Sequence, residues 1–568
     1  MRFFVIFTLV LLWFLPLEYR DLIRPDEGRY AEIAREIWIN HNWITPTLNG
    51  LHYFEKPPLQ YWATSLFFHI FEPAAWTARL WPAITGFSGI LLTLWLGKQL
   101  QLKLISYFAA LIQISTILYV GSGHFNTLDM SLCFFLQLTL FGYIKHYYFP
   151  QHIKSSAWII GIGIAGAFLS KGLIAIILPG TVFIIDSIWH QEKNFWKIST
   201  QSRIWGIAFL LSLPWCIAVS IKNPGFAYFF FIHEHFDRFT TPSHHREGPI
   251  YYFIPILLIG FLPWTFIWIQ SLKNYLTKIK QSINKNKIFT QSTKHSFDLK
   301  KHTRLQRIFI IWSITIFIFF SVSHSKLPSY ILPIFPTMAW LLAFSLERYP
   351  HFHWRKSIIA SLVFWITVLI FAPLIKNYIS NEWSRELYKN YYIYLYSSLL
   401  CMIIGCFILL ASMFEKNLSF SSQEKLKFWY WPILLWSLGI QFAFQGYQAF
   451  SPQQSIKILV NQVLQQEKFK KEFKFYSVNT YDQTLDFYIN RTTTLVNIED
   501  EMEFGCKQKP SLCIKSIKEW ETLWLNEKNN AYAILPTKLY EEYYKTLPMQ
   551  LLGKNQRHAI IKRFNNIN

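Results

Sequence analysis

The chain has 568 residues, of which 52% are hydrophobic, 19% aromatic and only 15% charged. Soluble domains run at about 25% charged residues, so a soluble multidomain enzyme, a disordered chain and a disulfide scaffold are all excluded. The net charge of +22, from 55 Lys and Arg against 33 Asp and Glu, points in so apolar a chain to anionic lipid as partner and not to nucleic acid.

A bilayer span needs about 20 largely apolar residues. Such stretches fall near 3–19, 76–97, 103–121, 126–145, 157–170, 172–189, 204–221, 251–271, 308–322, 328–346, 356–376, 391–414 and 428–447, about thirteen in all. The fold class is therefore an α-helical integral membrane protein. The pair around Ser170-Lys171-Gly172 reads as one kinked helix or two short ones. The first stretch has the basic start of a signal peptide but no small-residue cleavage site, and reads as a retained helix. With the N-terminus in the cytoplasm, the basic loops fall inside. The segment 271–307 alone holds ten Lys or Arg and a single acid, Asp298. That parity leaves 20–75, 222–250, 322–327 and the tail from about 450 on the outer face.

The tail differs in kind. Phe473–Val478 alternates apolar and polar residues as a strand does, and 519–527 and 540–545 are helix-like. Two domains follow: a polytopic part, 1–449, and an α/β part, 450–568. Cys506 and Cys513 lie in the second and could pair outside the cytoplasm. Cys133, Cys216, Cys401 and Cys406 sit in apolar runs as buried thiols.

Ionisable residues crowd the outer loops. Arg24-Pro25-Asp26-Glu27-Gly28-Arg29-Tyr30 opens a helix, with Pro25 near its first position and acids in its first turn. Asp26, Arg29 and Tyr30 share one face. The bland reading is an amphipathic helix lying among headgroups. Asn49-Gly50 is a turn, and Pro57-Pro58 starts the next helix. Between them stand Tyr53, Glu55 and Lys56, offering a base or metal ligand beside a phosphate-binding cation. Asp129 lies near the outer end of a span, where an acid is costly and functional by default. Lys171 faces the same side, to bind a phosphate or to snorkel. His233, His235, His244 and His245, with Glu234 and Asp237, suit a divalent metal such as zinc, though at no standard zinc spacing. Lys326 and Tyr330 open a late span at the outer surface. Single features here have plain structural explanations. Their gathering on one membrane face, with both signs of charge, points to a site for a phosphorylated or cationic substrate.

The blocks Asp26–Glu32, Asn49-Gly50, Tyr53–Trp62, Ala78–Ala83 and Ser325–Pro333, in this order, resemble the lipid A aminoarabinose transferase family of Gram-negative bacteria. The resemblance implies the GT-C glycosyltransferase fold with about thirteen transmembrane helices and a C-terminal α/β periplasmic domain. It implies an inner-membrane enzyme with its active site facing the periplasm. The implied reaction moves 4-amino-4-deoxy-L-arabinose from undecaprenyl phosphate to a lipid A phosphate and so confers polymyxin resistance. Residue by residue, Asp26 and Arg29 match the first catalytic block, and a cationic aminosugar would account for Asp129 as a further catalytic carboxylate. Tyr53, Lys56, Arg246, Lys326 and Tyr330 are expected at the donor phosphate. Glu55, His244 and His245 are expected to hold zinc.

Two rival readings discriminate by simple features. The same fold with another polyprenyl-phosphate sugar or a protein hydroxyl acceptor needs a strong base, because a hydroxyl must be deprotonated. A lipid transporter needs midplane charges and symmetric repeats; here the charges sit at one face and no repeat is seen.

Overall fold

The computed structural model describes residues 2–191, 194–237, 248–284, 294–413, 422–498, 500–527, 529–543 and 547–563. Helical structure stands at every one of the candidate spans. Among the described residues, 7 helices are long and apolar enough to cross a membrane, or up to 9 if each bent pair is one span. The bent pairs are Lys103–Gln113 with Ile117–His124, turning by 66°, and Phe253–Gly260 with Thr265–Thr277, turning by 111°. Phe4–Glu18 and Ile174–Trp189 are shorter apolar helices. The uncertain pair is two helices, Ile153–Lys171 and Ile174–Trp189. They break at Gly172, whose φ of +78° only a glycine adopts without strain. Large rings fill the bundle. Trp13, Trp264, Trp312, Trp340, Trp354 and Trp436 are fully buried, and the Trp13 indole donates to Ala83 O at 2.9 Å.

The connection after the first helix carries the features that matter. A helix spans Asp26–Asn40, here called the loop helix, with Pro25 one residue outside its first turn. The hairpin β1 (Thr47–Leu48) and β2 (Leu51–His52) follows. Asn49 and Gly50 both take positive φ, 53° and 73°, as a two-residue hairpin turn requires. A second loop helix, Leu59–Phe71, starts after Pro58.

The tail folds into a six-stranded mixed sheet. Its strands are β3 (Phe475–Val478), β4 (Thr494–Val496), β5 (Cys513–Ile514), β6 (Ala531–Pro536), β7 (Gln550–Lys554) and β8 (His558–Arg563), in the order β5-β4-β3-β6-β8-β7. β3, β4, β5 and β6 are parallel; β8 pairs antiparallel with β6 and β7. The alternation read in Phe473–Val478 does not mark a half-exposed strand. All four residues of β3 are buried, because helices cover both faces of a parallel strand. The helix-like stretches are helices, Ile517–Asn526 and Thr537–Tyr543. Cys506 and Cys513 form a disulfide.

This sheet unit packs directly on the loop helix and the hairpin. Asn49 Nδ2 donates to Thr493 O at 2.8 Å, and Thr493 N donates back to Asn49 Oδ1 at 2.6 Å. A Cβ on Gly28 would meet Gln483 O at 2.6 Å, so the sheet unit approaches the loop helix too closely for any side chain there.

Candidate active site

The loop helix is not a strip floating among headgroups. From Glu27 to Ile37 every residue is buried, charges included. Five charged groups out of water, Glu27, Arg29, Glu32, Arg35 and Glu36, must each find a partner, and those partners build the site.

Glu27 is the structural anchor. Arg79 Nε and Nη2 donate to its two oxygens at 2.7 and 2.9 Å, a bidentate fork. The remaining guanidinium hydrogens reach Leu17 O at 2.8 Å, Arg20 O at 2.7 Å and Asp21 O at 2.8 Å. Burial pushes the Glu27 carboxyl up, but Arg79 and Arg20 pull it further down, and it stays ionised below the ordinary range. Further along, Arg35 forks onto Glu32 at 2.6 Å twice. Glu36 accepts from Thr47 and from Gly50 N, and so ties the hairpin to the helix.

Asp26 and Arg29 lie on the other face. Arg29 Nη1 donates to Asp26 Oδ1 at 3.2 Å, and Nη2 pairs with Glu501 from the sheet unit. Gln483 Nε2 holds Glu501 at 2.9 Å. Burial raises Glu501, partly offset by Arg29, while Glu55 and Asp26 push the same way as burial. The Arg29 guanidinium stands 6.0 Å from the Tyr53 ring and 5.9 Å from that of Tyr30. Tyr30 and Tyr61 pack with centroids 5.8 Å apart. The buried Tyr53 and Tyr61 hydroxyls and Arg29 Nε have no hydrogen-bond partner among the described residues. Buried polar atoms are normally satisfied, so this group has hydrogen-bonding capacity to offer a polar ligand.

Lys56 adjoins this cluster. Its ammonium donates to Glu55 O at 2.7 Å and to Glu234 Oε2 at 3.0 Å, with Glu55 Oε2 at 3.8 Å. Glu234 is buried on a π-helical turn, Phe229–Asp237, a geometry common at functional sites. His233 stacks on Phe229 and lies 3.7 Å from Glu234.

A third group stands nearer the bundle. Asp129 pairs with Lys171 and accepts from Ser329 Oγ at 2.7 Å. Lys171 sits 4.2 Å over the Tyr330 ring, which ties Asp129 to the expected donor-phosphate residue. Lys326 is buried, and its ammonium donates to Gly248 O at 2.9 Å and Ser323 O at 2.8 Å.

The structure thus brings Asp26, Arg29 and Tyr53 together, gathers Glu55 and Lys56 beside Glu234, and joins Asp129 to Tyr330 through Lys171. His244, His245 and Arg246 lie outside the described residues. Among those that are described, no three His, Cys, Asp or Glu side chains gather as a ligand set. Sequence reasoning missed Glu501 and the joining role of Glu234. A signal existed for the first: 499–503 holds four acids in five residues, an unusual run in so basic a chain.

Comparison with known proteins places this geometry. Residues 459–563 match the model of the aminoarabinose transferase C-terminal domain, and residues 1–230 that of dolichyl-phosphate-mannose-protein mannosyltransferase. An undecaprenyl phosphate-aminoarabinose arabinosyl transferase of Proteus mirabilis is 31% identical over 61% of this chain and 60% of its own. The match thus spans about three fifths of that relative's length. One from Wigglesworthia glossinidia brevipalpis is 27% identical over 94% of this chain and 92% of its own. The crystal structure of ArnT from Cupriavidus metallidurans bound to undecaprenyl phosphate superposes with a TM-score of 0.86 at 27% identity, covering 99% of this chain and 98% of that one. Its apo form gives 0.84, at 26% identity. With both of its parts matched in order and the whole length superposed, the chain is a multi-pass membrane protein that belongs to the aminoarabinose transferase family of the GT-C superfamily.

Proposed function

We propose that the protein is an inverting glycosyltransferase of the bacterial inner membrane, with its active site facing the periplasm. It takes 4-amino-4-deoxy-L-arabinose, or a close relative, from undecaprenyl phosphate and places it on a phosphate of lipid A. The likeness to ArnT bound to undecaprenyl phosphate supports the donor class. The observation that carries the reading is the unsatisfied polar cluster of Arg29, Tyr53 and Tyr61, set among the carboxylates of Asp26, Glu55, Glu234 and Glu501. Buried hydroxyls and an arginine suit sugar hydroxyls and phosphate. An excess of carboxylates over Arg29 and Lys56 suits a sugar that carries an ammonium.

The chemistry asks little of a base. An oxygen of the ionised acceptor phosphate bonds to the anomeric carbon. The bond from that carbon to the carrier phosphate oxygen breaks in line, and undecaprenyl phosphate leaves with the electron pair. Configuration inverts. Lys56, Tyr330 and Lys326, with Arg246, are the donor-phosphate residues in this reading, and they stabilise the charge that grows on the leaving phosphate. Arg29 fixes Asp26, and Asp129 holds Lys171 against Tyr330. Zinc belongs to the proposal, with Glu55, His244 and His245 as its ligands; no step runs through it. Metal content of the purified protein checks this, and Glu55→Gln should lower it. The added amine cancels negative charge on lipid A and weakens binding of polymyxin.

Mass spectrometry of lipid A from cells with and without the gene tests the proposal. A gain of one aminopentose on a phosphate, lost with Asp26→Asn, is expected. Unchanged lipid A in cells that make the donor lipid would sink it.

A further inference from the structure

A second charged cavity lies between the loop helix and the sheet unit. It is a cleft of about 350 Å³. Arg35 and Glu36 line it from the helix, Gly50 from the hairpin, and Lys471, Asn490 and Arg491 from the sheet unit. Arg35 lies six residues beyond Arg29, about 9 Å along the helix. It is a separate place from the cluster around Arg29 and Lys56.

The charges of this cleft are unequally matched. Arg35 is neutralised by Glu32. Arg491 makes no ion pair among the described residues, and Asp486 acts on it only at longer range. Its Nη1 donates to Lys470 O at 2.9 Å and its Nη2 to Phe473 O at 2.6 Å. Carbonyls pin a guanidinium without cancelling its charge. Burial is accordingly the largest influence on Arg491 and lowers its pKa. Lys471 is exposed and makes no ion pair or hydrogen bond among the described residues. Glu36 opposes these cations weakly. Its oxygens are turned to Thr47 and Gly50 N, and burial with the nearby Glu32 pushes its pKa up to about 7. The cleft therefore presents close to two uncompensated positive charges, one of them fixed in position.

We propose that this cleft binds a phosphate monoester, with Arg491 and Lys471 as the recognising cations. A phosphate monoester carries about −1.5 to −2 charges near neutral pH, which matches the pair. Arginine held in a fixed orientation offers the planar fork that phosphate oxygens accept. The volume exceeds what a bare phosphate fills and falls in the range of small-ligand sites, about 300–1,000 Å³. Asn490, Thr492 and Asn40, also on its walls, supply partners for hydroxyls. Nothing in this argument depends on the transfer reaction.

Hydrogen–deuterium exchange on the full chain in nanodiscs tests it, with glucose 6-phosphate as a soluble probe and phosphatidic acid in the disc as a lipid-borne one. Saturable protection of 468–475 and 489–494 is expected with one of the two, and which one identifies the source of the phosphate. Lys471→Glu should raise the midpoint at least tenfold, and Lys471→Arg should keep it. Lys471 is exposed, so neither change threatens the fold; Arg491→Gln, which also loses two carbonyl bonds, is a secondary variant. Lys56→Ala should leave the protection unchanged, which separates this site from the proposed transfer site. No protection with either probe, or an unchanged midpoint in Lys471→Glu, overturns the proposal.

Discussion

Glu27→Gln is the most informative single change for the fold. The amide is nearly the same shape as the carboxyl, but its single oxygen keeps only one of two acceptor bonds, from Asn126 N, 3.0 Å from Oε1 in the native protein, or from Ile23 N, 3.2 Å from Oε2. What disappears is the negative charge facing Arg79, which is fully buried, and Arg20, 3.8 Å away. Two guanidinium groups then share one dry pocket, with only Asp21, already paired with Lys457, as a nearby acid. Breaking a buried pair by removing one partner costs about 3–5 kcal/mol, mainly as the penalty of the charge left behind. The assay is equilibrium unfolding of the purified protein in detergent, followed by tryptophan fluorescence. The pH dependence adds a sign test. Glu27 is held below its ordinary pKa, so its stabilisation is present above the unfolded value of 4.5 and is lost as pH falls below it. The gap between wild type and Glu27→Gln should therefore be full at pH 7 and should shrink at pH 4. A variant within about 1 kcal/mol of wild type at pH 7, or a gap that widens in acid, would refute the reasoning.

Glu36→Gln should behave oppositely. Its native pKa of about 7 stands above the unfolded 4.5, so the native state keeps a proton that the unfolded state gives up, and stability falls as pH rises through that window. At about 1.36 kcal/mol per unit, removing that penalty gives the variant an advantage of at most about 3 kcal/mol at pH 8, vanishing near pH 4.5. Parallel melting curves across that range would refute it. Replacing Cys506 and Cys513 by Ala should cost about 2–3 kcal/mol locally, seen as faster hydrogen exchange across 498–514 and reduced transfer. Arg29→Lys keeps the charge but loses the fork to Asp26 and Glu501. Transfer to lipid A in membranes should fall at least tenfold with unchanged expression, and near-wild-type transfer would remove Arg29 from the site.

Much of this was legible in the sequence because the signals are local. Asn49-Gly50 announces its hairpin, Pro58 its helix, and apolar runs their spans. The charged loops stood out because charge is rare in this chain, and the structure brings several of their residues together around Arg29 and Lys56. Three features were not legible. Glu27 and Arg79 are 52 residues apart, and neither block reveals that it answers the other. The loop helix has the charges of a surface helix, and only Arg79 on one side and the sheet unit on the other turn its polar residues into an interior. Glu501 reaches Arg29 from 472 residues away. Long-range pairing of this kind has no periodicity to read.

That distance also fixes what the sheet unit is for. A domain appended for solubility would meet the bundle through a thin, wet contact. Here the unit contributes Glu501 to the Arg29 cluster, clamps Asn49 through both backbone groups of Thr493, and leaves Gly28 no room for a Cβ. It also buries Asp486 beside Glu32 and Glu36, where burial and the two glutamates raise Asp486 well above its usual range. Three carboxyls around a single arginine, Arg35, are tolerable only while protons compensate the missing charge. The joint between loop helix and sheet unit is thus held by packing and by retained protons as much as by ion pairs. Asp26 and Arg29 stand on the same helix as that joint, and their orientation depends on it. The C-terminal unit is in this sense a wall of the site, and changes at Asn49 or Thr493 should reach transfer through the angle of the loop helix without touching a substrate.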